Sequence, residues 1–434
     1  MEADNRNMTS RSAEAGQHKP GPVRRAWLAP AAVFAAALAI QAAGILFAMR
    51  SSYHEQTSCL DGFHYYFPLA KSLWSSGRYL QRDGEFCTRV PPAYPLVLCP
   101  AVGLGSAIGL PPIRSAQAVN VLCAALAAAG VYLVARRRLT PALAGLVAVA
   151  FAAYPPFVWL SRDAYSEQLF TLLLVFGLYG LGRSCDRPGV VPLGLGMLLL
   201  GLATLTRPIG LLVPAAYLFG LLARGRLRAV RWRAWALGLA VYALTLAPWC
   251  FIVSRHLGRT VLVASSFSSS HLDGIVRLPG DPIAEAASRS FTTREPSLGA
   301  LAAFHVRMLR HDPGAYVAFW LRKIACSWYA TESGVGHAAL AALNAPLLLA
   351  SAVGIGLAVR RSAFGPEQAA LLCVLLYFWG MSTMVWSTAR YMVPAVWVLL
   401  LFAAEIPVVL GWGRGSAAAA AEPETSEQAQ RSAP

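Results

Sequence analysis

The sequence predicts an all-α integral membrane protein of about ten transmembrane helices, with two large outer loops that carry juxtamembrane helices. Three observations predict it. Of 434 residues, 56% are hydrophobic and 13% charged, with a mean hydropathy of +0.51, a balance far from that of a soluble domain. The apolar residues fall in runs near the length that crosses a bilayer, about 20 residues. The arginines sit in short clusters between those runs, where they set orientation.

The net charge of +16 raises the question of a nucleic-acid partner, and the placement of the arginines between apolar runs excludes it. Only Lys19, Lys71 and Lys323 among the 37 basic residues are lysine. The eight cysteines show no CxxC and no metal-ligand spacing, which argues against a zinc or redox module. Cys99, Cys123, Cys250 and Cys373 lie in apolar runs and read as small core residues. No HExxH, P-loop or GxGxxG leading into a helix is present.

Residues 1–25 are polar and basic, end in Arg24-Arg25, and read as a cytoplasmic tail. Residues 26–49 form an uncharged apolar span closed by Arg50; its positive flank places the N-terminus inside, as a retained signal anchor. An outer loop, 50–115, follows. Within it, 61–76 reads as a short amphipathic helix with Phe63, Tyr66, Ala70 and Leu73 on one face. The run 93–110 contains Pro95 and Pro100 and ends at Pro111-Pro112. Taken as a full span, it sends Arg136-Arg137-Arg138 outside. Taken as a surface-lying or re-entrant segment, it puts the 12 arginines of loops 135–138, 183–188, 224–233 and 360–366 inside, against Arg162, Arg207 and Arg390 in the short outer turns. The second arrangement satisfies the positive-inside rule.

The remaining spans then fall at 116–135, 140–160, 165–182, 189–205, 208–223, 234–254, 336–359, 367–386 and 391–411. A second outer region, 255–335, separates the seventh and eighth spans. Near its end His311-Asp312-Pro313 caps a helix over PGAYVAFWLRKIACSWYA. Its Tyr316, Phe319, Trp320, Trp328 and Tyr329 suit the headgroup level. Residues 26–411 thus form one polytopic domain, and 412–434 a disordered cytoplasmic tail.

This topology brings Asp61, Arg89, Asp163, Glu167, Arg207, Lys323 and Arg390 to the outer surface. Each has a plain structural reading. Asp61 reads as a solvated loop charge, Glu167 as a first-turn carboxylate favoured by the macrodipole, and Asp163 as the N-cap of the same helix. Arg207 and Arg390 read as snorkelling side chains. Arg207 precedes Pro208 in a Thr-Leu-Thr-Arg-Pro turn, where proline keeps its predecessor extended. Arg390 opens Arg-Tyr-Met-Val-Pro394 at another helix mouth. Two arginines and Lys323, on the side where basic residues are otherwise scarce in the short turns, point to an anionic partner, because arginine grips phosphate bidentately and lysine offers a point charge.

The pattern Asp61-x3-Tyr65, then Ala70, Leu73 and Gly77, then Pro91-Pro92-x-Tyr94-Pro95-Leu96, resembles the first outer loop of the GT-C membrane glycosyltransferases. The nearest group is that of the protein O-mannosyltransferases and aminoarabinose transferases. The TRP turn, the RY-x2-P start and the RHDPGAYVAFWLRK stretch are similar to the same group, so the resemblance covers most of 26–411. It implies a sugar donor carried on polyprenyl phosphate and an acceptor that is a lipid, glycan or protein. It implies a site on the outer face of the plasma membrane, Asp61 as general base, and Glu167, with Asp163 as its rival, as the second acidic residue. Arg207, Arg390, Lys323 and Arg89 would hold the donor phosphate, with no cofactor beyond an optional divalent cation. Aminoarabinose-transferase-like members carry Lys directly before Pro-Pro, where this chain has Val90 with Arg89 one step earlier, and Asp61-Gly62 stands where some relatives have an acidic pair. The sugar and acceptor therefore stay open. A transporter or lipid flippase is the rival reading; it favours ionisable groups near the bilayer midplane, and here only Glu405 approaches that description. Cys59 and Cys87 flank Asp61 in a compartment that permits oxidation, and either pair or remain two thiols.

Overall fold

The structure, a computed structural model, describes residues 27–50 (side chains to 47), 61–186, 189–224, 232–278, 280–293, 295–331, 334 and 336–411. Both expected tails, Cys59 and most of the 224–233 arginine cluster lie outside the described residues. Eighteen α-helices follow in order: α1 Leu28–Arg50, α2 Phe67–Ser76, α3 Ala93–Ala107, α4 Pro112–Ala135, α5 Pro141–Ala152, α6 Pro155–Ser161, α7 Glu167–Asp186, α8 Val190–Thr204, α9 Val213–Ala223, α10 Trp232–Leu257, α11 Phe267–Val276, α12 Pro282–Ser290, α13 Leu298–His311, α14 Pro313–Tyr329, α15 His337–Arg360, α16 Pro366–Met384, α17 Ala389–Met392 and α18 Val396–Val409. Among the described residues the only β-pairing is an isolated bridge between Leu80 and Phe86.

Ten helical stretches lie at the ten expected spans, but they are not alike. Six are long and apolar enough to cross a bilayer, or seven if α5 and α6 are one bent span; α8 and the 208–223 stretch are shorter. The 140–160 expectation needs correction. Pro155 forces Tyr154 into an extended conformation (ψ 117°), and α6 leaves α5 at 54°, as the restriction on a residue before proline requires. The 93–110 run forms α3, 15 residues packed on α2 and α4 with Pro100 inside it.

The core is built from small residues. Ala124, Ala125, Ala127 and Ala128 are fully buried along α4, which packs on α1, α5 and α7. A close glycine seam joins α7 to α8. A Cβ on Gly180 would come within 2.9 Å of the Gly196 Cα, so only glycine permits that approach, as at small-residue interfaces between membrane helices. The peripheral helices turn Leu46 and Phe47 (α1), Leu244 and Phe251 (α10), and Leu349 (α15) outward, in keeping with a hydrocarbon environment.

The 20 residues of α7 span about 30 Å, close to a bilayer core, and an ionic network closes each end. At the Asp186 end, Arg137 pairs with Asp186 (2.8 Å) and Glu367 (3.0 Å), and Arg138 with Glu405 (2.8 Å). Gln368 donates to the other oxygen of Glu405 at 2.6 Å. Two of the three clustered arginines that suggested an inner loop are thus structural partners. Glu405, the residue the transporter reading singled out, is the partner of one of them.

The stretch 61–76 departs from a simple amphipathic helix. A π-helical turn, Gly62–Tyr66, precedes α2, and its extra residue rotates the register. Tyr66, Leu69 and Ala70 face inward while Phe63 is exposed under Arg82. Gly77, at φ +67°, ends α2.

Helices α11–α14, from the second region expected to lie outside, form a small unit around Leu272, Ile275, Ile283, Leu301, Phe304 and Phe319. As the His-Asp-Pro motif predicts, Asp312 accepts from the Ala315 N–H at 2.9 Å and caps α14. The aromatic residues of α14 do not all form an outward belt. Phe319 and Trp328 are buried, and the exposed stripe is Val317, Leu321 and Ile324. The rings are taken up by the α11–α13 core and by α16, where Trp328 meets Trp379 edge to face.

A histidine pair lies inside this unit. His271 Nδ1 meets the Met384 carbonyl, His271 Nε2 lies 2.8 Å from His305 Nε2, and His305 Nδ1 lies 3.2 Å from the Tyr316 hydroxyl. The carbonyl can only accept, so with both rings neutral His271 donates from Nδ1, His305 donates to His271, and Tyr316 donates to His305. Burial, helped by His271 and Lys323, pushes His305 down to about 4. The unfolded chain therefore binds more protons between the ordinary value of 6.5 and about 4, and stability present above that window is lost as pH falls through it. The expected outcome is a melting temperature that declines from pH 7 to pH 4.5, and declines less steeply in His305→Gln, as measured by thermal unfolding of the purified chain.

Candidate active site

Four separate segments meet at the other end of α7. Glu167 is its first residue, where the unsatisfied N–H groups favour a carboxylate. Arg207 is held extended (φ −145°, ψ 126°) ahead of Pro208, as that dipeptide demands. Arg390 stands in the four-residue α17, after a break that follows Met384. Asp61 stands just ahead of the π-helical turn.

Their charges form one chain. Asp61 Oδ2 lies 3.0 Å from Arg390 Nη2, Arg390 Nε contacts Glu167 Oε1, and Arg207 Nη1 approaches the same Oε1 at 2.7 Å. Two guanidiniums therefore share one carboxylate oxygen. The Glu167 side chain is 1% exposed and Asp61 43% exposed, so the chain runs from a sealed end to an open one. Glu167 Oε2 is buried with no hydrogen-bond partner, an uncommon state for an ionised group.

Aromatic and hydroxyl groups line the chain. Arg390 lies 4.2 Å from the Tyr165 ring centre and Arg207 5.2 Å from that of Tyr391, both within cation–π range. Arg207 donates to Ser166 Oγ at 3.3 Å, and the Tyr66 hydroxyl donates to the same atom at 3.0 Å. Burial, reinforced by the Asp61 charge, pushes the Tyr66 phenol well above the usual tyrosine range, so it stays a donor. Burial works against the Arg207 charge and Glu167 more than offsets it, raising that guanidinium's hold on its proton.

The Pro-Pro-x-Tyr stretch supports the site from behind. The Ala93 N–H donates to the Leu205 carbonyl at 3.0 Å, tying this stretch to the turn that presents Arg207. Tyr94 is buried edge to face on Tyr66 and donates to Asn120, whose amide donates to the Asp163 carbonyl at 2.6 Å.

Of the residues the sequence singled out, Asp61, Glu167, Arg207 and Arg390 converge. The other three take different places. Asp163 is buried, and its Oδ1 accepts from the adjacent Ala164 N–H at 2.8 Å, shaping the loop ahead of α7. Arg89 pairs with Glu295 at 3.5 Å and donates to Ser269, joining the two loops expected to lie outside. Lys323 is fully buried, its ammonium on the carbonyls of Gly274 (2.8 Å) and Val385 (2.9 Å). It is thereby removed from the phosphate-binding set, because a ligand cannot reach a sealed ammonium. Cys87 is buried, and its expected partner Cys59 lies outside the described residues. Ser166 and Tyr165 were missed, although both adjoin Glu167 in the sequence.

A guanidinium occupies the position between Asp61 and Glu167 that a divalent cation would need, so this donor set does not fit a metal ion.

The family model described as dolichyl-phosphate-mannose-protein mannosyltransferase matches residues 94–252, a stretch that includes Glu167 and Arg207. ArnT from Cupriavidus metallidurans, solved bound to undecaprenyl phosphate, is 16% identical, with a TM-score of 0.52 over 91% of this chain and 64% of its own. The archaeal oligosaccharyltransferase AglB from Archaeoglobus fulgidus, solved with an inhibitory peptide and a dolichol-phosphate, is 14% identical, with a TM-score of 0.56 over 93% of this chain and 53% of its own. This chain has the GT-C fold. It spans less than two thirds of the length of either GT-C structure. No curated protein matches it.

In this GT-C chain, Glu167→Gln leaves two guanidiniums facing each other without their shared anion. The expected loss is about 3–5 kcal/mol, the range for breaking a buried ion pair. Adding Arg207→Met should recover part of that loss. Thermal unfolding of the wild type and the two variants in detergent measures both effects.

Proposed function

We propose that this integral membrane protein moves a sugar from a polyprenyl-phosphate donor to a hydroxyl on a lipid, glycan or protein acceptor, at the outer membrane face. One observation carries the reading: a half-exposed carboxylate, Asp61, is paired with an arginine whose other side rests on the buried Glu167. The match to the mannosyltransferase family model and the GT-C fold support it.

The residues suit this chemistry. The donor phosphate competes with Asp61 for the Nη2 edge of Arg390, and arginine binds phosphate through such a forked edge. Exchange of partner frees Asp61. As the acceptor oxygen bonds to the anomeric carbon, Asp61 takes its proton. The bond from that carbon to the phosphate oxygen breaks, and the electron pair leaves with the polyprenyl phosphate. Arg390 and Arg207 meet the charge that develops there. Glu167 keeps both arginines in place.

The test uses the purified chain with labelled polyprenyl-phosphate sugars and a membrane lipid extract. Asp61→Asn keeps shape and removes the proton acceptor, so transfer should fall on the order of 100- to 10,000-fold while donor binding survives. Arg390→Ala should instead weaken donor binding by roughly 1.5–3 kcal/mol. An Asp61→Asn protein that keeps more than about a tenth of the rate overturns the general-base role. Orientation has its own test. In a chain stripped of native cysteines, one introduced at Gly84 should react with an impermeant label in intact cells, and one at Gly225 should not. The reverse result places the site on the inner face.

A further inference from the structure

Arg390 is aimed by an irregular stretch. Helix α16 stops at Met384; Val385 then adopts φ −100°, ψ −107°, and Ser387 has φ +50°, before α17 begins at Ala389. The last carbonyls of a helix lack intrahelical donors, and here two consecutive ones are taken by side chains of the outer unit. His271 of α11 donates to the Met384 carbonyl, and Lys323 of α14 to the Val385 carbonyl at 2.9 Å. The same ammonium holds the Gly274 carbonyl at 2.8 Å, so it staples the end of α11 to the break. A Cβ on Gly274 would lie 1.5 Å from the Val385 oxygen, which fixes how closely the two backbones meet. The Arg277 guanidinium covers the Trp386 ring at 3.5 Å. The Ala389 N–H, one residue before Arg390, donates to the Ala330 carbonyl at 2.9 Å.

We propose that Lys323 and His271 are positioning residues, which hold the carbonyls of Val385 and Met384 and so set the break from which Arg390 reaches Asp61 and Glu167. A buried ammonium is costly to desolvate. A water molecule or a serine would satisfy a lone carbonyl at less expense. What lysine adds is reach: one flexible stem joins two backbones from different elements. Burial pushes Lys323 down to about 7, and the two carbonyl dipoles act in the opposite sense. The helices carrying the clamp, α11 and α14, belong to the outer unit rather than to the spans around α7, so the site's geometry is referred to a separate body.

The inference rests on the reading of Arg390 as a phosphate contact, and the experiment separates the two. Full-length chain in lipid nanodiscs is compared as wild type, Lys323→Met and His271→Phe. The phenylalanine keeps the ring that stacks with Phe267 and Trp320 and loses the bond to Met384. Hydrogen–deuterium exchange is followed in the peptide covering 384–392, and undecaprenyl phosphate is the binding probe. Both variants should exchange faster in 384–392, with the α7 and α13 peptides unchanged. Each should bind the probe about tenfold more weakly, the scale of one lost charge-assisted contact. Combined with Arg390→Ala, neither should add a further loss, because a positioning residue acts through the group it positions.

Unchanged exchange in 384–392 overturns the proposal. So does exchange rising across the whole outer unit, or a binding loss that adds to that of Arg390→Ala. Should Lys323→Met fail to accumulate, His271→Phe supplies the same readouts. If the wild type does not bind the probe, the functional reading falls, and the exchange pattern still decides whether the clamp holds the break.

Discussion

A carboxylate sealed from solvent must be neutralised where it stands, and Glu167 meets that demand through two arginines from distant parts of the chain. Desolvating an ion costs several kcal/mol, recovered only if the partners are close and well oriented. The helix N-terminus contributes a share, and Arg207 and Arg390 contribute the rest at a single oxygen. That need draws together the turn after α8, the break after α16 and, through Arg390, the loop at Asp61. The neighbouring features, from the π-helical turn to the Tyr94–Asn120 contact, hold those segments at the required distance.

Both ends of the helix bundle use buried ion pairs, to different effect. At the Asp186 end the carboxylates of Glu367 and Glu405 are matched by Arg137, Arg138 and Gln368, and Arg137 also reaches the half-exposed Asp186. At the Glu167 end two arginines converge on one buried carboxylate, and Asp61 is half-exposed. Local saturation of polar groups is the ordinary condition of a folded interior. Among the described residues, Glu167 Oε2 is the one buried carboxylate oxygen that departs from it.

Much of this was legible in the sequence because it rests on local rules. Apolar runs, proline-led turns and the His-Asp-Pro cap gave the helices and their ends; Arg207 stood out because Pro208 fixes the turn before it, and Arg390 because it opens a helix mouth. What stayed hidden depends on side chains meeting across the chain. Lys323 looks like a phosphate ligand by residue type, yet its neighbours Gly274 and Val385 lie 49 and 62 positions away, and no local pattern announces them. Phe63 leaves the face it was expected to share with Tyr66 and Ala70, because a π-helical turn leaves no signature in apolar spacing. The burial of Phe319 and Trp328 stayed hidden for a related reason, since they pack on helices the sequence could not dock.

Asp61 and Arg390 are separated by 329 positions, Glu167 and Arg390 by 223, and Glu167 and Ser166 reach Arg207 within about 41. A chain is made from its N-terminus onward, and its parts fold as they emerge. During synthesis Glu167 therefore meets Arg207 early and waits for Arg390 until α17 has been made. Asp61 waits longer still, measured in residues made. A chain released before α17 would carry both acids in an unfinished circuit, so the same ion pairs that shape the site also require that this stretch has been delivered.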